Sequence, residues 1–91
     1  MDDQISIYTL HQILRLSAEL GATIALIKAG HLKRYLNKSE AFKKYGRRNV
    51  EHWVADQQIK VLKDGDNSAA WRLDRIELEV LAKAILLTEI I

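Results

Sequence analysis

The 91 residues allow one domain with a modest core and at most an appended helix, and a hydrophobic content of 48% excludes wholesale disorder. The chain has no cysteine, which removes disulfides, thiolate zinc sites and cysteine nucleophiles together. Its net charge is +2, but unevenly spread: Lys28 to Arg75 holds 12 Lys and Arg against 6 Asp and Glu, and the remainder holds 2 against 6. A basic middle between acidic or apolar ends points to contact with a polyanion. Unequal solvated charge is the plain alternative. Met1-Asp2-Asp3-Gln4 is acidic where a secretory leader would be basic. The apolar run Leu20–Ile27 is too short to cross a bilayer, and Ile85-Leu86-Leu87 is shorter still. A cytoplasmic protein without membrane contact is expected. There is no proline, no low-complexity linker and no internal repeat.

The spacing of Leu10, Ile13, Leu14, Leu16, Leu20, Ile24 and Ile27 predicts one helix over about 5–29, stopped by Gly30 at C′. Arg15 and Glu19 form an i,i+4 pair in the weaker order. The apolar side is too wide for a helix lying on one small domain. Either a second copy covers it, which is the favoured expectation, or the apolar run 85–91 does. Residues 31–36 form a connector whose alternation permits a short strand, a third member for a later hairpin.

Asn37 and Glu40 stand at the spacing of a capping box, opening a short helix with Ala41, Phe42 and Tyr45 inward and Lys43 and Lys44 outward. Gly46 ends it, most simply as a left-handed C′ residue. A second helix is expected over 48–56, buried through Val50, Trp53 and Val54. Arg47, Arg48, Asn49, His52 and Asp56 lie outside, with Glu51 nearer the edge. The run 59–63 reads as a strand, 64–68 as a polar tip, and 70–73 as the returning strand. Asp74 and Glu77 predict a second capping box opening a last helix, with Ile76, Leu78, Val80, Leu81 and Ala84 on its apolar side.

The order helix, turn, helix, hairpin, helix resembles the winged helix-turn-helix of the excisionase-like and MerR-like DNA-binding families. Tyr35-Leu36-Asn37-Lys38-Ser39-Glu40-Ala41 carries the resemblance at the first helix and Arg47-Arg48-Asn49-Val50-Glu51-His52-Trp53 at the second. Gln58-Ile59-Lys60, Trp71-Arg72-Leu73-Asp74 and Ile76-Glu77-Leu78 complete it, over about 32–84. Two features depart from the pattern. The family usually carries more residues between the glycine and the second helix, and the long N-terminal helix is no part of the shared unit. The fold class implied is mainly α with a small β-hairpin wing, a winged helix-turn-helix preceded by a long N-terminal helix. The domains are then 1–30, for dimerisation, and 31–91. The resemblance implies double-stranded DNA binding, with helix 48–56 in the major groove and hairpin 59–73 as wing. It also implies a role as a small transcription regulator or as an excision factor of mobile elements.

Candidate contacts follow from side-chain chemistry. Arg47 and Arg48 stand where side chains reach base edges or phosphates, and an arginine fork matches guanine. Asn49 can pair with adenine, and His52 reaches base or phosphate. Lys38 and Ser39 open the preceding helix, where backbone amides favour a phosphate. In the wing Lys60, Lys63, Asn67, Ser68 and Arg72 are candidates, Lys63 and Arg72 foremost, while Asp64 and Asp66 oppose a phosphate-seeking tip. Each set has a bland reading as a solvated helix cap or strand edge. Trp53 and Trp71 are expected in the core rather than as stacking platforms, and Tyr8, Tyr35 and Tyr45 partly buried. His11, His31 and His52 lack metal-ligand spacing, and no Gly-rich phosphate loop or nucleophile triad is present. Neither catalysis, a cofactor, a metal nor a small-molecule substrate is therefore expected. A protein-interaction module that keeps this fold and binds a protein through its apolar terminal segments is the alternative.

Overall fold

A computed structural model describes residues 5–63 and 70–90. The expected polar tip, with Asn67 and Ser68, lies outside them. The elements are α1 (Ile7–Lys28), β1 (Tyr35–Leu36), α2 (Lys38–Tyr45), α3 (Arg47–Ala55), β2 (Val61–Lys63), β3 (Trp71–Asp74) and α4 (Arg75–Ile90). The chain is mainly helical, with a three-stranded antiparallel sheet of order β1-β3-β2. It divides into two compact units. Lys33–Leu78 forms one, and α1 with its exit to Leu32 groups with α4 from Glu79 in the other.

In the α1 unit the Ser6 hydroxyl accepts from the Thr9 amide at 3.0 Å and opens the helix. At its end Gly30, with φ 83°, lets the His31 amide reach the Leu26 carbonyl at 2.9 Å and its own amide reach Ile27 at 3.0 Å. That is a Schellman stop, with glycine where φ is positive. The late turns of α4 lie beside α1. Lys83 stands 3.4 Å from Glu19 and 3.2 Å from buried Glu79. Leu16, Leu20, Val80, Ala84 and Leu87 line an apolar groove beside them. The C-terminal segment thus covers one side of α1, while Ile7, Leu10, Leu14 and Leu26 stay exposed on other sides. Tyr8, expected partly buried, is 71% exposed on the first turn, and Val80 is also exposed. Arg15 and Glu19 are 3.9 Å apart and both exposed, a pair that contributes little.

The second unit is built on β3. Leu36 pairs with Leu73 and Val61 with Leu73 from the other side, so one central leucine anchors all three strands. Leu36, Ala41, Val50, Trp53, Ile59, Leu73 and Leu78 form the core. The connector strand exists as the third member, shortened to two residues. The Arg34 carbonyl beyond it is taken by the Arg75 amide at 2.7 Å. Arg75, a buried cation, also donates from Nε to the Lys33 carbonyl at 2.7 Å. Asp74 caps α4 through the Ile76 amide at 2.8 Å.

The capping box at α2 is complete. Asn37 Oδ1 accepts from the Glu40 amide at 2.8 Å, and Glu40 Oε1 accepts from the Asn37 amide at 3.0 Å. Gly46 departs from expectation. It has φ 92° and ψ 132°, outside the left-handed helical well, and serves at once as C-cap of α2 and N-cap of α3. The turn between the helices is this one residue, so α3 begins at Arg47 rather than 48. At the other end Gln57, with φ 61°, takes the place of a C′ glycine. The Gln57 amide reaches Val54 at 3.0 Å and the Gln58 amide reaches Trp53 at 2.9 Å. Because the Ile59 amide also turns toward the Trp53 carbonyl, β2 starts at Val61 and not at 59.

Candidate nucleic-acid interface

α3 is nine residues long, too short to persist alone in water. Buried Val50 and Trp53 hold it, each side chain contributing on the order of 1.5–3 kcal/mol by burial. Tyr45 packs against Trp53 with ring centroids 6.3 Å apart. Docking that face fixes what the opposite face presents. Arg48, Glu51, His52 and Ala55, at i, i+3, i+4 and i+7, form one exposed stripe.

The start of α3 runs against ordinary helix chemistry. It has no side-chain cap and no acidic residue in its first turn, and it carries two exposed arginines at the positive end of the helix dipole. Each such cation costs roughly 0.3–1 kcal/mol where a carboxylate would stabilise. An anion placed there would meet both guanidinium groups and the uncapped amides.

The described residues already engage several of the candidates. Arg47 Nε is hydrogen-bonded to Glu51 Oε1, and its guanidinium lies 5.8 Å from the Phe42 ring centre. Arg48 has no ion-pair or hydrogen-bond partner among the described residues. Asn49 donates from Nδ2 to the Tyr45 carbonyl at 3.0 Å, closing the end of α2, which occupies one of its two amide hydrogens. His52 Nε2 is 3.0 Å from Asp56 Oδ2.

A second cluster gathers around Phe42. The Phe42 and Trp71 rings meet edge to face, centroids 6.2 Å apart, tying α2 to the sheet. Lys38 Nζ lies 4.4 Å from the Trp71 ring centre and 6.0 Å from that of Phe42. Lys63 is the cross-strand partner of Trp71 and therefore shares its sheet face. Lys38, Arg47 and Lys63 thus flank one aromatic pair. Arg72 does not join them. It sits one residue on along β3, on the opposite sheet face, with its guanidinium 5.0 Å from the Tyr35 ring centre. The two wing residues expected to matter most point to different sides. Lys60 is exposed between α3 and β2.

Ser39 is exposed in the first turn of α2, but the capping box has already placed the Glu40 carboxylate there. Lys33 Nζ, 2.5 Å from Glu40 Oε2, and the Asn37 amide hold that carboxyl below its usual range. A phosphate at this helix start would face an ionised carboxylate, which weighs against Ser39.

Three features escaped sequence reasoning. Arg75 counts toward the basic middle but is buried. Glu51 belongs to the outward stripe, as counting i, i+3 from Arg48 would reveal. Ala55 closes the stripe with a side chain small enough for close approach. Among the described residues no group of His, Asp and Glu could hold a metal ion, and no helix is long and apolar enough to cross a membrane. The chain matches no known protein-family model, no curated protein and no solved structure.

Proposed function

We propose that Lys33–Leu78 is a winged helix-turn-helix that binds double-stranded DNA, with α3 in the major groove and the β2–β3 hairpin against the flanking backbone. The observation that carries this reading is the start of α3, where uncapped amides, Arg47 and Arg48, which has no partner among the described residues, stand together on an exposed face. Lys38 and Lys63 extend the positive surface beside it, positioned to neutralise phosphates and release counterions. Arg48 is the base reader of the pair, because Arg47 is partly spent on Glu51. The mechanism is binding alone, in the service of transcription control or of the excision of mobile elements.

One nine-residue helix reads only a few base pairs, so useful specificity asks for two copies on two half-sites. Exposed Ile7, Leu10 and Leu14, at i, i+3 and i+7 on one side of α1, are the surface we assign to the second copy. The same exposed residues favour the second reading, a module that docks on another protein while the basic surface serves solubility.

The test is fluorescence anisotropy with a labelled random duplex across a salt series, using wild type and the double variant Arg47→Ala, Arg48→Ala. Steeply salt-dependent binding that the double variant loses, with its fold intact by circular dichroism, supports the DNA reading. Absence of binding at low salt removes it. Sedimentation of wild type against Leu14→Glu tests the second copy, and a wild type that stays monomeric at every concentration ends that part.

A further inference from the structure

We propose that Glu51 is a specificity-determining residue, a carboxylate held in the α3 stripe to accept a hydrogen bond from the exocyclic amino group of a base, cytosine N4 by preference. This rests on the DNA-binding reading above and names part of its substrate.

A carboxylate on a surface that approaches phosphates is a local liability, because like charges repel. Glu51 nevertheless stands on the exposed stripe, one turn from Arg48, and Arg47, Arg48 and Glu51 line one shallow concavity. Helix stability does not account for it. An arginine preceding glutamate at i,i+4 is the weaker order of such a pair, and Arg47 itself sits at the unfavourable end of the dipole. The pairing has a clear geometric result. Arg47 Nε holds Glu51 Oε1, which limits the rotamers of the carboxylate and leaves Oε2 without a partner among the described residues. An oriented acceptor beside Arg48, which has no partner among the described residues, presents complementary chemistry to adjacent base pairs. Glutamate accepts from cytosine N4, and the arginine fork donates to guanine O6 and N7. Ala55, one turn further, lets the helix come close enough for both, and its methyl group suits a thymine methyl.

The assignment separates from a structural role by its effect on sequence ranking. The experiment is enrichment of bound duplexes from a random pool, followed by sequencing, with wild type, Glu51→Gln and Glu51→Ala, each checked for fold by circular dichroism. Wild type is expected to favour cytosine at one position next to its guanine preference. Glu51→Gln is expected to shift that position toward adenine, whose N6 and N7 match a glutamine amide. Glu51→Ala is expected to lose the preference there, on the order of tenfold, while binding unselected DNA more tightly because a negative charge has gone. Identical base preferences in all three proteins overturn the assignment and leave Glu51 as a helix-surface ion pair. A wild type that enriches no sequence yet binds unselected duplex in salt-dependent fashion overturns it as well, while the DNA reading stands. A wild type that binds no duplex removes both.

Discussion

Two glycines make opposite predictions that test how α2 and α3 are joined. Gly46 has φ 92° and is the only residue between the helices. An alanine there meets a backbone cost of about 1–3 kcal/mol for a side chain at positive φ. Its Cβ would also lie 3.4 Å from Asn49 Nδ2. Reduced freedom of the unfolded chain offsets about 0.4–1 kcal/mol. The net destabilisation expected for Gly46→Ala is about 0.5–2.5 kcal/mol, or roughly 2–20 °C in Tm for a chain of this size. Gly21 is the control. It lies inside α1, and an added Cβ would meet nothing within 4 Å. Gly21→Ala should stabilise by about 0.5–1 kcal/mol through helix propensity alone. Urea unfolding followed by circular dichroism measures both. A Gly46→Ala variant as stable as wild type would refute the one-residue turn, since an ordinary loop would accept the alanine.

Gln57→Gly should remove the strain of φ 61° and leave stability equal or up to about 1 kcal/mol higher, read by the same unfolding assay. Asn37→Ala should cost about 0.5–2 kcal/mol by opening the capping box at α2. Because the folded-state pKa of Glu40 is lowered, chiefly by the Lys33 bond and then by the Asn37 amide, its stabilisation is present above the ordinary carboxylate range and is lost as pH falls through the lowered value. The stability difference between wild type and Glu40→Gln, measured by urea titration at several pH values, should therefore vanish in acid. Arg75→Met should cost about 1–3 kcal/mol by leaving the Lys33 carbonyl without its donor. On the proposed DNA-binding reading it should leave affinity unchanged in the folded protein, which anisotropy would show.

The elements were legible wherever a local signal and the tertiary demand agreed. Asn37 with Glu40, and Gly30 after the last periodic residue of α1, announced their helix ends because caps act within one turn. Val50 and Trp53 announced the buried side of α3 by spacing alone. Gln57 gave no signal. Its left-handed conformation is imposed by the need to turn the chain from α3 toward β2, and glutamine has no propensity for it. Gly46 was legible as a break but not as a residue serving two helices at once, because that depends on how closely α3 docks. The placing of Lys63 and Arg72 on opposite sheet faces needed the register of Leu73 against Val61 and Leu36, which alternation fixes only once the partners are known.

The charge map misled in a way that sharpens the reading. A count of cations over 28–75 treats Arg75, Arg34 and Arg48 alike. In the fold the buried Arg75 side chain donates to the Lys33 carbonyl, Arg34 lies 3.3 Å from Asp74, and Arg48 has no such partner among the described residues. Discounting Arg75 and Arg34 leaves Arg48, at the start of α3, among the cations that form no ion pair or hydrogen bond with the described residues. That start also breaks local helix rules, with arginines where acids stabilise and no side-chain cap. A helix this short gains nothing in stability from such a beginning and depends on Val50 and Trp53 to tolerate it. Local conflict carried by the core is the expected mark of a surface selected for contact. Net charge, by contrast, would have given this chain of +2 no distinction from many other chains of its size.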